Sequence, residues 1–444
     1  ESGFISRRDA VMRVNPNQLE TLMHKQLDPK DLFAFKPVGK GLPASPGAAV
    51  GQVVFTAEAA VAGKEAGRKV ILVRLETSPE DITGMQAAEG ILTARGGMTS
   101  HAAVVARGMN IPCIAGVSDL NVNEASGSFS INGKSFRQGD WLSLNGTTGE
   151  FYSGQLNVVA PQLDGDFSKI LAFSDDFRTI GVRANADTPK DALVAKDFGA
   201  SGIGLCRTEH MFFNAERITA VREMILASDL AGRQRALAKL LPFQRTDFYG
   251  ILAAMDGLPV IIRLIDPPLH EFLPHEEKDI VELAGILGHS VADVKAKVES
   301  LSEFNPMLGF RGCRLGVVYP EINAMQVQAI FEAALQLKRE GKNPIPQIEV
   351  PLVGNVLEFL PLKKLIKEVA KSTGAEGVVH YEVGTMIEVP RAALTADELA
   401  KEAEFLSFGT NDLTQMTCGF SRDDSGSFLK HYVAKKIYTR DPFQ

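Results

Sequence analysis

The stretch Thr93-Ala-Arg-Gly-Gly-Met-Thr-Ser-His-Ala-Ala-Val-Val-Ala-Arg-Gly108 follows the short apolar run Gly90 to Thr93 and joins a glycine pair, two hydroxyls, one histidine and the opening of a helix. Gly96 and Gly97 permit backbone angles that a side chain forbids, so peptide N–H groups can approach an anion closely. The run Ala102, Ala103, Val104, Val105, Ala106 then starts a helix whose unpaired N–H groups and positive dipole end face the same spot. His101 stands at that junction. One neutral ring nitrogen can attack phosphorus while a hydrogen bond holds the other, so His101 reads as a covalent phosphoryl carrier. The competing reading is a Thr-Ser helix cap followed by a histidine that merely packs. For Ser100, capping is the expected contribution.

Around this stretch, from Gly41-Leu-Pro-Ala-Ser-Pro-Gly-Ala-Ala-Val-Gly51 onward, glycine is frequent and strands are short: Gly51 to Phe55, Lys69 to Val73, Gly90 to Thr93 and Trp141 to Asn145. Alternation about the turns Asn132-Gly133 and Asn145-Gly146 predicts a compact β-rich domain over 40–154 carrying a few helices. Within it, Glu76-Thr-Ser-Pro-Glu-Asp81 suits a helix start. Residues 1–39, with a helical segment from Arg7 to His24, read as a connector. Residues 155–178 are polar and weakly periodic and read as a second linker.

From residue 179 to 444 the pattern changes to apolar strands alternating with longer helices. The strand candidates are Gly181 to Ala186, Ser201 to Leu205, Pro259 to Leu264, Gln347 to Leu352, Gly384 to Val389 and Phe405 to Phe408. That alternation predicts a parallel sheet of the (β/α)8, TIM-barrel kind, whose chemistry gathers where strands end. The second run leads into Cys206-Arg207-Thr-Glu-His-Met-Phe-Phe, the third into Arg263-Leu-Ile-Asp266. Two arginines at adjacent strand ends can grip a phosphate from two sides, although each alone is more often a salt-bridge partner. The fifth run carries Glu388 and the sixth Asp412; two carboxylates at neighbouring rim positions suit Mg²⁺, with substrate oxygens and water completing the shell.

The remaining composition limits the alternatives. The chain has 444 residues, 45% hydrophobic and 23% charged, with a net charge of -7, so two or more domains are expected and neither nucleic acid nor an anionic membrane is a general partner. Cys113, Cys206, Cys313 and Cys418 form no Cys-x-x-Cys pair, which argues against a disulfide framework or zinc site and fits a reducing compartment. No apolar run approaches the roughly 20 residues of a membrane span.

The string Gly-Gly-Met-Thr-Ser-His-Ala-Ala-Val-Val-Ala-Arg-Gly resembles the phosphohistidine signature of the PEP-utilising enzyme family, which makes or uses phosphoenolpyruvate (PEP). Its Met-Thr-Ser variant is most like the dikinase branch, since the synthase and sugar-phosphotransferase members usually have Arg where Met98 stands. The resemblance implies an α/β multidomain architecture: a swivelling β/β/α phosphohistidine domain, then a (β/α)8 barrel that in this chain stops after its sixth strand. It implies His101 as the carrier, PEP/pyruvate binding by Arg207, Arg263, Glu388, Gly409, Thr410, Asn411 and Asp412, and Mg²⁺ on Glu388 and Asp412. Thr99 matches a regulatory phosphorylation site of plant members, Glu76 to Asp81 is expected close to the histidine, and Arg311 either supports the anionic pocket or packs.

The family reaction interconverts ATP, phosphate and pyruvate with AMP, diphosphate and PEP. The resemblance therefore also implies an ATP-grasp domain elsewhere in a longer protein, a terminal cysteine motif that none of the four cysteines matches, and a homodimer. Cytoplasm is the expected location, with plastid or glycosome left open. The alternatives are a PEP synthase, a sugar-phosphotransferase enzyme, a lyase on a Mg²⁺-dependent barrel, or a non-catalytic fragment.

Overall fold

The computed structural model describes all residues except 1–3, 17, 18, 20–22, 79, 80, 98, 99, 125, 161–164, 275, 304, 423 and 444. The chain divides into two compact units, 1–179 and 180–444.

The first unit is built on a mixed sheet whose centre is four parallel strands, Ala48–Val54, Val70–Arg74, Gly90–Thr93 and Cys113–Ala115. The run Val70-Ile-Leu-Val73 is apolar throughout because both faces of the sheet are covered. Its residues alternate between them: Ile71 and Val73 join a core with Phe55, Phe129 and Phe151, whereas Val70 and Leu72 pack with Ala60, Met85, Ala102 and Ala106. The first face is thereby covered by an antiparallel sheet of Asn121–Asn123, Ser128–Ile131 and Lys134–Arg137. Helices Ala57–Glu65, Ile82–Ala87 and His101–Gly108 cover the second.

Two expectations for this unit change. The helical segment expected from Arg7 to His24 is interrupted after Arg13, where Val14 turns extended, and helical backbone resumes at Pro16; the residue before a proline disfavours the helical region. The segment 155–178 belongs to the first unit and contains a helix, Asp166–Phe177. Its apolar positions Phe167, Ile170, Leu171 and Phe177 keep helical spacing, but Asp175 and Asp176 ahead of the last of them mask the period. Val158–Val159 also pairs with Gln26–Leu27, tying that segment to the N-terminal residues.

In the second unit six strands, Ala184–Asn185, Ile203–Arg207, Pro259–Arg263, Ile345–Val350, Glu382–Ile387 and Leu406–Phe408, pair in parallel in strict chain order. The first is shorter than Gly181 to Ala186. A sheet that only adds strands in order has no reversal point of the doubly wound kind and curls toward a barrel. The curl is visible in one bond: the Arg183 guanidinium, just before the first strand, donates to Gln347 Oε1 in the fourth at 2.5 Å. In a flat sheet those strands lie roughly 14 Å apart. Both edges remain unpaired among the described residues, and Phe408 on the last strand is 65% exposed.

Period-two alternation sorts this sheet. Ile262, Ile348, Val350 and Val383 face the helical layer, where Phe248, Ile251, Ile330 and Phe331 meet them. The residues between them face inward: Arg263, Gln347, Glu349 and Gly384. Main-chain registers confirm the row, with Arg207 opposite Arg263, Arg263 opposite Glu349 and Glu349 opposite Gly384. The sheet therefore places charged side chains side by side on a concave face. No helix among the described residues is long and apolar enough to cross a membrane.

Gly384 is required where it stands. A Cβ there would meet the Phe405 carbonyl oxygen at 2.4 Å and its ring at 2.6 Å, whereas Gly285, inside helix Glu277–Leu287, faces open space. Urea denaturation should show Gly384→Ala losing about 2–3 kcal/mol through forced backbone displacement. Gly285→Ala should gain about 0.5–1 kcal/mol from the lower entropy of the unfolded chain.

Candidate functional site

His101 is the first residue of helix His101–Gly108, and Ser100 caps that helix, its hydroxyl accepting from the Ala103 N–H at 3.4 Å. Gly96 has φ +115°, and a Cβ there would lie 2.8 Å from Ser100 Oγ, so the turn into the helix needs glycine for both angle and space. Met98 and Thr99, including the regulatory reading of Thr99, lie outside the described residues.

The imidazole is oriented by a residue that sequence reasoning left unassigned. Thr77 Oγ1 lies 3.0 Å from His101 Nδ1. In the tautomer with its proton on Nδ1, the ring donates to Thr77, and Nε2, which has no protein partner among the described residues, presents its lone pair. Thr77 sits on a turn held by Arg74. That guanidinium reaches Asp81 and Glu124, each at 3.4 Å, and donates to the Phe55 carbonyl at 3.0 Å. Asp81 in turn accepts from the Ser78 N–H at 2.9 Å, and Glu124 from the Leu75 N–H at 3.1 Å. The signal was present in Glu76-Thr-Ser-Pro-Glu-Asp81, which reads equally well as a helix start.

In the second unit the inward row ends in a cluster of charge. Arg263, buried, pairs with Glu209 through a short ion pair and with Asp266 at 3.2 Å. Arg311 pairs with Asp412 at 2.5 Å and lies 3.7 Å from Asp266. Glu388 accepts from the Leu352 N–H at 2.6 Å, and Ser407 donates to Glu349. Around Gly409, a Cβ would approach Glu388 Oε2 to 2.6 Å, so glycine lets that loop lie against the carboxylate. Thr410 opens helix Thr410–Cys418, and Asn411 links Asp412 at 3.3 Å to Arg422 at 3.3 Å. Arg263, Glu388 and Asp412 thus come together, and the neighbouring Arg207 is opposite Arg263 in register.

The two arginines expected to act as a pair differ in their surroundings. Arg263 is enclosed by carboxylates because it points into the curl. Arg207 makes no ion pair among the described residues; its own N–H donates to Asp187 at 2.7 Å, and the same carboxylate holds His210 Nδ1 at 2.7 Å. Arg311, for which packing was an equal reading, belongs to the charge cluster. Glu209, Asp266 and Glu349 were missed as members. The acid in the apolar run Ile348-Glu349-Val350 was the legible sign, since a carboxylate between two outward-facing residues of a buried strand must face inward.

Five carboxyl groups, Glu209, Asp266, Glu349, Glu388 and Asp412, surround two buried guanidiniums. Burial pushes Glu388 up to about 8, with Asp266 and Asp412 adding to the shift and Arg263 opposing it. Burial likewise raises Glu349 to about 7, against the Ser407 hydrogen bond and Arg263. For Arg263 and Arg311 burial acts downward, but the surrounding acids more than reverse it. Among the described residues, one oxygen each of Glu209, Asp266 and Glu349 lacks a hydrogen-bond partner. This excess of buried, underpaired carboxylate oxygen suits a hard divalent cation. Among the described residues no group of three or more His, Cys, Asp or Glu could hold a metal ion. The three buried cysteines offer no reactive thiolate: burial pushes Cys113 and Cys313 up to about 12 and Cys206 well above its ordinary value.

Comparison with known proteins finds two matched regions, the second of which along the chain begins inside the first unit and takes in helix Asp166–Phe177. Residues 162–441 match the family model described as PEP-utilising enzyme, PEP-binding domain, and residues 66–149 match PEP-utilising enzyme, mobile domain. The chain is 53% identical over 446 residues to "Pyruvate, phosphate dikinase" of Clostridium symbiosum, covering 100% of this chain and 51% of that protein. It is 56% identical over 447 residues to "Pyruvate, phosphate dikinase 1, chloroplastic" of Oryza sativa subsp. japonica, covering 100% of this chain and 47% of that protein. With "Pyruvate, phosphate dikinase" of Rhizobium meliloti (strain 1021) it shares 53% identity over 449 residues, 100% of this chain and 49% of that protein. The chain spans about half the length of the curated relatives it matches.

Two measurements follow from the geometry alone. Nitrogen chemical shifts of the His101 ring should show one dominant tautomer; Thr77→Val should shift the ratio about fivefold, the worth of one hydrogen bond, and Thr77→Ser should preserve it. The raised Glu388 group stabilises the fold in its neutral form, fully below its ordinary value of 4.5, and loses that contribution as pH rises through about 8. Denaturation in the presence of a chelator should therefore show Glu388→Gln gaining stability over the parent by about 1–3 kcal/mol between pH 5 and 9.

Proposed function

Because this chain belongs to the PEP-utilising enzyme family, we propose that it carries the histidine and the PEP/pyruvate site of a phosphotransferase of the pyruvate, phosphate dikinase type. The observation that supports this most is the convergence of Arg263, Arg311, Glu388 and Asp412 at the C-terminal ends of parallel strands, where barrel enzymes hold their substrates. An anion and a cation are both provided for there. The whole reaction interconverts ATP, phosphate and pyruvate with AMP, diphosphate and PEP, its nucleotide half belonging to an ATP-grasp domain of the complete protein.

In the pyruvate half, His101 Nε2 attacks the phosphorus of PEP. The N–P bond forms as the bond from phosphorus to the enol oxygen breaks, leaving the enolate of pyruvate, which takes a proton at its methylene carbon to become pyruvate. Thr77 keeps the opposite ring nitrogen protonated, so the attacking lone pair stays on Nε2. Arg207 meets the phosphoryl oxygens with an uncompensated charge, and Arg263 balances the enolate side. The Gly409-Thr410-Asn411 backbone and amide orient the substrate carboxylate. Glu388 and Asp412 would hold Mg²⁺, which when bound would neutralise charge on the phosphoryl and enolate oxygens. Residues 179–444 form the greater part of a (β/α)8 barrel, through which the complete protein forms a homodimer. The histidine-bearing unit swivels as a body between the two half-reactions.

Incubation with PEP labelled at phosphorus and Mg²⁺ should place an acid-labile label on the chain. Substitution His101→Asn should remove it, and Arg207→Ala should slow its appearance by at least about 100-fold. Label that persists in His101→Asn, or that is absent from the parent, contradicts the proposal.

A further inference from the structure

Of the three buried acids that the reaction above leaves unused, Glu209 and Asp266 form ion pairs with Arg263, and Glu349 forms none among the described residues. Glu349 lies on the inward row of the fourth strand, fully buried, directly opposite Arg263 in register on one side and Gly384 on the other. Because Gly384 presents no side chain, the Ser407 hydroxyl reaches past the fifth strand and donates to Glu349 Oε1. Glu349 Oε2 has no hydrogen-bond partner among the described residues. An unpartnered carboxylate oxygen in a dry interior favours the neutral acid, while Arg263 and the Ser407 hydroxyl favour the anion. The charged groups that face it are Arg263 from the third strand and Asp266 from the turn beyond; Glu209 and Glu388 stand one step farther, on Arg263 itself.

We propose, resting on the PEP/pyruvate reading of this site, that Glu349 is a positioning residue that sets how much of the Arg263 charge is left for an anionic substrate. Arg263 already answers Glu209 and Asp266. When Glu349 keeps its proton, the guanidinium has charge to spare for a phosphate- or carboxylate-bearing ligand. When the proton leaves to solvent, a third carboxylate claims the same cation and anion binding weakens. The balance of opposing influences places this change near neutrality, with burial raising the group to about 7.

The test is calorimetric titration of the full chain with PEP in Mg²⁺ buffer from pH 6 to 9, in a His101→Asn parent and its Glu349→Gln and Ser407→Ala derivatives, so that no phosphoryl transfer accompanies binding. The ligand's own ionisation is common to all three. In the parent, affinity should fall about tenfold between pH 6.5 and 8.5, the effect of one pKa unit of coupling. Glu349→Gln should remove that fall. Ser407→Ala, which deletes a bond that favours the anion, should move it to higher pH. A Glu349→Gln curve that tracks the parent, or a Ser407→Ala curve that does not move, overturns the inference while leaving the site reading intact. If Glu349→Gln does not fold, the Ser407→Ala curve decides alone. Absence of PEP binding in the parent at every pH sinks the site reading and this inference together.

Discussion

The second unit depends on packing more carboxyl groups than guanidiniums inside a curled sheet. Strand ends bring Glu209, Asp266, Glu349, Glu388 and Asp412 against only Arg263 and Arg311. Taking carboxylates out of water is costly, and ion pairs in a low-dielectric interior seldom repay it in full. The fold meets that cost with an extensive apolar layer behind the sheet, in which Phe248, Ile251, Ile330, Phe331 and Phe359 are fully buried. The uncompensated charge is then available to a cation and a charged ligand, in keeping with the general rule that strain and perturbed acids collect where chemistry is done.

The two units solve different problems with the same kind of device. Each uses a glycine to admit close approach beside a charged or nucleophilic group: Gly96 ahead of His101, and Gly409 against Glu388. Each also orients its key group from a neighbouring element, Thr77 for the imidazole and the Leu352 N–H for Glu388. Orientation comes from bonds the ligand does not make, so the groups are in place before it arrives.

Most of the architecture was legible in the sequence because its signals are local. The runs Gly90 to Thr93 and Trp141 to Asn145 fall on the observed strands residue for residue, and the later strands shift by one to three residues at their ends. The helix Asp166–Phe177 was hidden by its acids, and the break after Arg13 depends on Pro16. Distinctive strings drew attention to the candidate residues: His101 beside its glycine pair, Arg207 and Arg263 at strand ends, and the Gly409 to Asp412 loop. What could not be read was pairing. Nothing in the linear order says that Thr77 meets His101, that Arg311 meets Asp412 101 positions later, or that Ser407 reaches Glu349. Those contacts arise only when the sheet curls and sets its register.

The account rests on Glu388 and Asp412 forming, with substrate, one divalent-cation site at the rim of the sheet. Titration with Mn²⁺ followed by electron paramagnetic resonance, with and without PEP, tests this most directly. The expected result is a bound ion whose affinity rises when PEP is present and is lost in both Glu388→Gln and Asp412→Asn. Binding that is indifferent to PEP, or that survives both substitutions unchanged, contradicts it.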